Sequence, residues 1–424
     1  MSFLRARAAP ALRRSYATAA GPVEAAGVKV LGIENGLRPA TSSVTIVVKG
    51  GSRYEPAVGT AHVLKNFAFK TTAEGSALKN VRKTELYGGV LSSGLGREHL
   101  YLNAENVFVP LLASVLSSTQ FLPWEYSELV LPNVQGEAQA AAACPIAAGI
   151  DAAHAVAFRR GLGNSIYASP NSPVTLDNVK QFAQAAFAKN NIAVIGQGIS
   201  TEALASAVQQ SFGSGSAAGG NLSTSPSQYF GGEERLPLDT HSNPSAKPTL
   251  VIAYGQQGAE TPELAVLPHL LGGESALKWV PGTSPLSKAA AKVPGAQVRS
   301  FTTGYSDAAL FNIVIQAPTN EGVRSVAQEV AQAIKATSNI SEEEFSRAIA
   351  KARFAEATKL DTAESLIVST ANAVLAGQAP KPHALESLSA SAVSKAAGEL
   401  FKAKPTVVAI GNTHVLPYAD ELGL

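Results

Sequence analysis

The chain has 424 residues, with 34 Lys and Arg against 32 Asp and Glu, a formal charge of +2, 46% hydrophobic residues and only 16% charged ones. That length leaves room for two to four domains with sizeable cores, and so low a charged share, against about 25% in ordinary soluble chains, suits a protein whose surface is largely covered by partners. The near balance of charge gives no reason to expect nucleic acid. No run of about 18 apolar residues is present to suggest a transmembrane helix, and a lone cysteine, Cys144, excludes an internal disulfide framework or a multi-cysteine metal site.

Residues 1–16 hold Arg5, Arg7, Arg13 and Arg14 and no acid, the first acid being Glu24. Basic, Ser/Ala/Leu-rich and acid-free, this segment has the composition of a mitochondrial presequence. Arg14-Ser15-Tyr16-Ala17 reads as its processing site, cut between Tyr16 and Ala17. Without those four arginines, 30 basic residues face 32 acidic ones and the net charge falls to −2. The expected layout is a presequence over 1–16, a first module over 17–210, a Gly/Ser-rich linker over 211–245 and a second module over 246–424.

The first module opens on a β-branched strand, Ser43 to Val48, then Gly50-Gly51-Ser52 and a helix beginning near Pro56. That helix contains His62-Val63-Leu64-Lys65-Asn66, with Val63, Leu64, Phe67 and Ala68 on one apolar stripe. A second strand group follows at His99 to Val107, then a helix from Val109 to Ser117. Cys144, in an alanine run ending at Pro145, is expected to be a buried, inert thiol. A strand at Ile192 to Gly196 closes the module. The linker, SFGSGSAAGGNLSTSPSQYFGG over 211–232, carries almost no helix or strand pattern. The second module repeats the scheme: a strand at Thr249 to Tyr254, a helix near Pro262, a strand at Ala308 to Gln316, a helix at Glu321 to Ala336 and a closing strand from Thr406 to Gly411. The spacing from opening to closing strand is alike in both, which predicts a duplicated α+β domain.

The His62 segment has the outline of a metal helix without its chemistry. In H-x-x-E-H, two histidines at i and i+4 share one helical face and bind zinc, while the glutamate activates the bound water. Here the base position holds Lys65, with the wrong charge, and the second ligand position holds Asn66, a poor zinc ligand. The remaining histidines show no ligand spacing, so His62 is assigned to packing and no metal or cofactor is expected. Gly272-Gly273-Glu274-Ser275 and Gly213-Ser214-Gly215-Ser216 lack the G-K-[ST] ending of a phosphate loop.

The flanks, Gly59-Thr60-Ala61-His62 through Phe67, Lys70 and Thr72, resemble the G-x-A-H-x-x-E-H-x-x-F-K-x-T signature of the mitochondrial processing peptidase family. Leu86-Tyr87-Gly88-Gly89, Arg97-Glu98 with Tyr101, and Tyr305-Ser306-Asp307 with Leu310-Phe311 match further family segments in order, although Ala309 stands where glycine is usual. The resemblance runs from about Val28 to the C-terminus. It implies two homologous α/β modules of the processing-peptidase type facing each other across a cavity. Its H-x-x-x-N form is similar to that of the non-catalytic core subunits of respiratory complex III.

That likeness implies a scaffold peripheral to the mitochondrial inner membrane on its matrix side, without cofactors and without catalysis. The implied partners are a sister core subunit, cytochrome b, the first cytochrome subunit and the iron–sulfur protein, in a dimeric complex. The alternative is the substrate-recognising, non-catalytic subunit of the processing peptidase. Its long glycine-rich loop is missing from Leu271-Gly272-Gly273-Glu274-Ser275-Ala276-Leu277-Lys278-Trp279. Active relatives carry a third ligand, a glutamate about 75 residues after the motif. Counting from Asn66 lands near residue 142, inside the acid-free stretch Ala138 to Ile150. Matching Ala153-His154 to the family's L-H puts the position near Ala147. Glu137 and Asp151 are then out of register, and base, second histidine and third ligand are all expected to be missing. Arg97-Glu98 is read as a solvated or internal ion pair, and Tyr305 as a packed aromatic at a domain edge.

Overall fold

The computed structural model describes residues 21–34, 42–105, 109–212, 220, 222–274 and 282–424. The presequence and the Tyr16–Ala17 processing site lie outside the described residues.

Two sheets organise the chain. The first has the order β1 (Val23–Ala25), β2 (Val28–Ile33), β6 (Ile192–Gln197), β3 (Ser43–Lys49), β5 (His99–Glu105) and β4 (Leu91–Leu95). The second has the order β7 (Gly232–Leu236), β11 (Thr406–Ile410), β8 (Thr249–Gln257), β10 (Ala308–Gln316) and β9 (Gln297–Gly304). Each sheet has one parallel pairing and every other pairing is antiparallel: β2 with β6 matches β7 with β11, and β6-β3-β5-β4 matches β11-β8-β10-β9, while β1 adds an antiparallel edge to the first sheet alone. The halves are therefore repeats in topology, as the matched strand spacing predicts.

The strand β7 is a departure from the expected linker. Gly232–Leu236 lies inside 211–245 yet pairs in register with β11, Thr406 opposite Gly232 and Ile410 opposite Leu236. Its sequence, GEERL, has no run of β-branched or apolar residues, because an edge strand needs only one neighbour and leaves its side chains half in water. Part of the preceding segment is also fixed. Tyr229 Oη donates to the Lys404 carbonyl at 2.7 Å, and Ser227 donates to Asp307 through both backbone nitrogen and hydroxyl.

The helices of the first half are α1 (Thr60–Asn66), α2 (Ala77–Leu86), α3 (Val109–Ser118), the single turn α4 (Pro123–Glu125), α5 (Leu131–Ala142), α6 (Pro145–Phe158), α7 (Leu176–Ala186) and α8 (Thr201–Phe212). The second half holds α9 (Pro262–Leu271), α10 (Pro285–Ala291), α11 (Asn320–Ala336), α12 (Glu342–Thr358), α13 (Ala363–Leu375) and α14 (Ala390–Leu400). Each sheet has its main core on one face. Ile46, Leu100, Leu102 and Phe67 anchor the first, and Ile252, Phe311, Ile313 and Val326 the second.

The other face of each sheet is covered by a helix from the opposite half. From the first half, α6 lays Ala153 against Val251, Val314, Val408 and Ile410 of the second sheet. Gly149 comes so near that an added Cβ would stand 2.9 Å from Val251. From the second half, α13 sets Ile367, Ala371 and Val374 on Leu31, Val47, Ala193 and Ile195 of the first. Strands apolar along their whole length, such as β8 and β10, need this double cover. No single described helix is long and apolar enough to cross a membrane.

A buried polar cluster joins the halves. The Arg53 guanidinium takes both oxygens of Asp307, at 2.7 and 2.6 Å, and Oε1 of Glu98 at 2.8 Å. Glu98 Oε2 also accepts from the backbone nitrogen of Ser306 at 2.9 Å. Arg97 and Glu98 are thus not paired with each other, contrary to expectation. Successive side chains near a strand leave on opposite sides, and Arg97 reaches Asp151 on α6 at 2.7 Å instead. Tyr305 Oη donates to Nε2 of His154 at 2.7 Å, so this half-buried aromatic is a polar contact between the halves. Burial, reinforced by the Arg97 charge, drives His154 down to about 3, so the ring is neutral.

Cys144 is exposed, not buried. It sits at the bend between α5 and α6, just before Pro145, where the chain turns outward.

Candidate functional site

The motif helix α1 begins at Gly59, whose φ of 96° suits glycine, and where an added Cβ would come within 2.6 Å of Ala168. Glu55 caps its first turn, Oε2 accepting from the Ala61 backbone at 2.9 Å. Val63, Leu64 and Phe67 are buried, and the Phe67 ring meets Phe121 edge-on at 5.1 Å and stacks with Tyr126 at 6.2 Å. Packing alone therefore holds the helix. Replacing His62 by alanine is expected to cost about 0.5–2 kcal/mol, within the usual range for one side chain. Leu64→Asp or Phe67→Asp buries an unpaired charge and is expected to cost several times more. Thermal unfolding of the three variants checks this, and equal losses would give His62 a role beyond packing.

The outward side of α1 faces α5. Here the carboxylate of Glu137 receives all three motif positions. Its Oε2 lies 2.6 Å from His62 Nε2 and 3.2 Å from Asn66 Nδ2, and its Oε1 accepts from Lys65 Nζ at 2.5 Å. This corrects the expectation that no acid faces the motif. The carboxylate comes from Glu137 on α5, while Ala147 belongs to α6. Glu137 lies 75 positions after His62 and 71 after Asn66. Lys65 and Asn66 stand at the positions where the resembled motif has its base and second histidine.

The electrostatics follow from these contacts. The Ala168 backbone nitrogen donates to His62 Nδ1 at 3.1 Å, so Nδ1 carries no proton and Nε2–H points at Glu137. Burial lowers the His62 pKa against the pull of Glu137, keeping the ring neutral. Burial works to raise the Glu137 carboxyl, but hydrogen bonds from Lys65, His62 and Asn66 together with the Lys65 charge bring it down to about 2. The Lys65 ammonium thus supplies the positive charge that the carboxylate needs. Among the described residues no group of three or more His, Cys, Asp or Glu side chains can hold a metal ion. A cavity of about 400 Å³ opens beside the cluster, between Tyr167 and the edge strand β4 at Ser93, Gly94 and Leu95. Tyr167 meets the His62 ring edge-on at 5.5 Å.

Glu55 carries the one strongly raised carboxyl beside the motif. Burial pushes it up to about 7 from 4.5, only partly offset by the backbone nitrogens of the α1 first turn. Below about pH 4.5 it is protonated folded and unfolded alike. Between there and about 7 the unfolded chain releases the proton that the folded chain keeps, so this group's contribution to stability falls as pH rises. Glu55→Gln removes the titration. The variant is expected to gain in unfolding temperature relative to the natural chain between pH 5 and pH 8, and a constant gap would show that the carboxyl titrates normally.

Residues 33–169 match the family described as Insulinase (Peptidase family M16), and residues 173–352 match the Peptidase M16 inactive domain. The chain is 53% identical over 419 residues to cytochrome b-c1 complex subunit 2 of Cryptococcus neoformans var. grubii, covering 97% of this chain and 96% of that protein. It belongs to that family, a branch of the M16 peptidases. The subunit 2 proteins of Neurospora crassa and Homo sapiens are 37% and 27% identical, over 100% and 99% of this chain and 97% of each relative. Among solved structures, a chain of complex III2 from Candida albicans has the same fold, with a TM-score of 0.77 at 17% identity, covering 93% of this chain and 97% of that one. Family membership accords with the two repeated modules and leaves the carboxylate at Glu137 as the feature that sequence counting misplaced.

Proposed function

We propose that the chain is a non-catalytic core subunit of mitochondrial complex III, peripheral to the inner membrane on its matrix side, and that it serves the assembly and stability of the complex. Residues 1–16 are its import signal, released between Tyr16 and Ala17. Its partners are a sister core subunit, with cytochrome b, the first cytochrome subunit and the iron–sulfur protein beyond it. The observation that carries the absence of catalysis is the Lys65–Glu137 ion pair at 2.5 Å. A zinc peptidase needs a base and a second histidine at positions 65 and 66, and here those positions carry an ammonium and an amide that hold the one available carboxylate. The relatives named as subunit 2 of the cytochrome b-c1 complex support the assignment to that assembly.

The test is purification of the native chain in mild detergent. Haem absorbance and cytochrome b in the same particle are expected, with far less than one zinc per chain. Co-purification with a zinc-containing peptidase subunit and no haem would overturn the proposal in favour of the processing-peptidase role.

A further inference from the structure

The helix α2 is turned inside out. Its buried residues are polar: Asn80, and Thr84, whose hydroxyl donates to the Asn80 carbonyl at 2.9 Å. Its apolar residues face outward, Leu78 59% exposed, Val81 42% and Leu86 79%, and the patch continues into Tyr87 at 64% and Val90 at 54%. A helix that only needed to cover its own module would bury these side chains and expose Asn80 and Thr84. Lys79 and Lys83 flank the apolar residues, Arg82 lies between Leu78 and Leu86 at i, i+4 spacing, and neither Arg82 nor Lys83 is engaged in an ion pair with a described residue. Glu85 lies on the stripe of Leu78 and Val81, at helical spacings of three to four residues.

Resting on the core-subunit reading, we propose that this face of α2 docks another protein subunit of the assembly, in an apolar groove edged with carboxylates. The charge pattern selects this occupant. The face carries three cations, Lys79, Arg82 and Lys83, against the one acid Glu85, so a second copy related by a two-fold axis would bring surplus positive charge against surplus positive charge. An anionic lipid surface would meet Glu85 on the stripe that has to be buried, whereas a protein groove can offer it a donor. A helix laid in an apolar groove with complementary charge at the rim meets all three features.

A photoreactive benzophenone residue at position 78 of the full chain tests this in the detergent-purified complex. The expected adduct is with one other subunit, at a segment combining apolar and acidic residues. Adducts only with lipid, only with a second copy of this chain, or with nothing overturn the proposal. In parallel, Leu78→Ser with Leu86→Ser, and separately Arg82→Glu with Lys83→Glu, are expected to lower the assembled complex on native electrophoresis by about tenfold, as for central interface residues. The unfolding temperature of the free chain should be unchanged, since these side chains are exposed. Variants that assemble like the natural chain also overturn the docking. If the natural chain is itself absent from the haem-containing particle, the core-subunit reading falls with it. If it is present without adduct, only the docking falls.

Discussion

Replacing Lys65 by glutamate and Asn66 by histidine in the same chain is expected to create a zinc site holding about one metal ion per molecule, where the natural chain is expected to hold far less than one. Three ligand positions already converge. His62 Nε2 and the residue-66 side chain both face Glu137 Oε2, at 2.6 and 3.2 Å. The His62 ring is already neutral, but its proton sits on Nε2 because Nδ1 accepts from the Ala168 N–H, so zinc binding through Nε2 moves that proton to Nδ1 and gives up that hydrogen bond. The Glu137 carboxylate is ionised down to about pH 2 in the natural chain, through the Lys65 and His62 contacts and that of Asn66, against the effect of burial. Removing Lys65 withdraws its countercharge, and a divalent ion restores it. Each single variant should bind little. Asn66→His leaves Lys65 competing for the carboxylate, and Lys65→Glu sets two carboxylates beside one histidine without the second imidazole. Elemental analysis after dialysis against a weak chelator reads the outcome. A double variant that folds but retains no zinc would mean that Glu137 cannot take a ligand's place.

Much of this architecture is legible in the residues, and the exceptions have physical causes. Ser43 to Val48, Thr249 to Tyr254 and Ala308 to Gln316 are recognisable strands because both faces of each are largely buried and most of the residues are apolar or β-branched. The edge strand at Gly232–Leu236 escapes notice because one open edge and half-buried side chains permit GEERL. The exchange of α6 and α13 between sheets is hidden for another reason. Ala153, Ala157 and Ala371 are small residues chosen for close approach, and nothing in an alanine-rich helix says which sheet it will meet. The misplaced carboxylate has two sources. Counting forward from Asn66 instead of His62 overshoots to the C-terminal end of α5, and matching His154 places the position at Ala147, beyond the bend at Cys144-Pro145 on α6, whose Ala153 packs on the second sheet. Glu137 precedes that bend, on the helix that remains opposite α1. The two i, i+3 and i, i+4 partners in the motif were visible in sequence, but the partner 75 residues away depended on tertiary structure.

Replacing Arg53 by methionine is expected to lower the stability of the folded chain by about 3 kcal/mol, near the lower end of the cost of breaking a buried ion pair from one side. Arg53 holds two carboxylates from different halves, Glu98 beside the first sheet and Asp307 in the turn between β9 and β10. The Glu98 side chain is 3% exposed and that of Asp307 31%, so water can relieve Asp307 but not Glu98, which sets the estimate low in the range without abolishing it. The Arg53 contacts, with the Ser227 hydrogen bonds, hold the Asp307 pKa below its ordinary value despite burial, so loss of the guanidinium leaves Asp307 and Glu98 without their shared countercharge. Methionine keeps the unbranched stem as far as the position of Nε and removes the guanidinium carbon and its two terminal nitrogens with the charge. Lysine at 53 keeps the charge but not the planar fork that spans both Asp307 oxygens at 2.7 and 2.6 Å, and should fall between the two. Because Ser227 hangs from the same Asp307, the segment 222–231 should become more susceptible to limited proteolysis in Arg53→Met than in the natural chain. Urea unfolding at neutral pH measures the first effect and proteolysis the second. A midpoint unchanged to within about 0.5 kcal/mol, with an unchanged cleavage pattern, would place the joint between the halves in the apolar contacts of α6 and α13 alone.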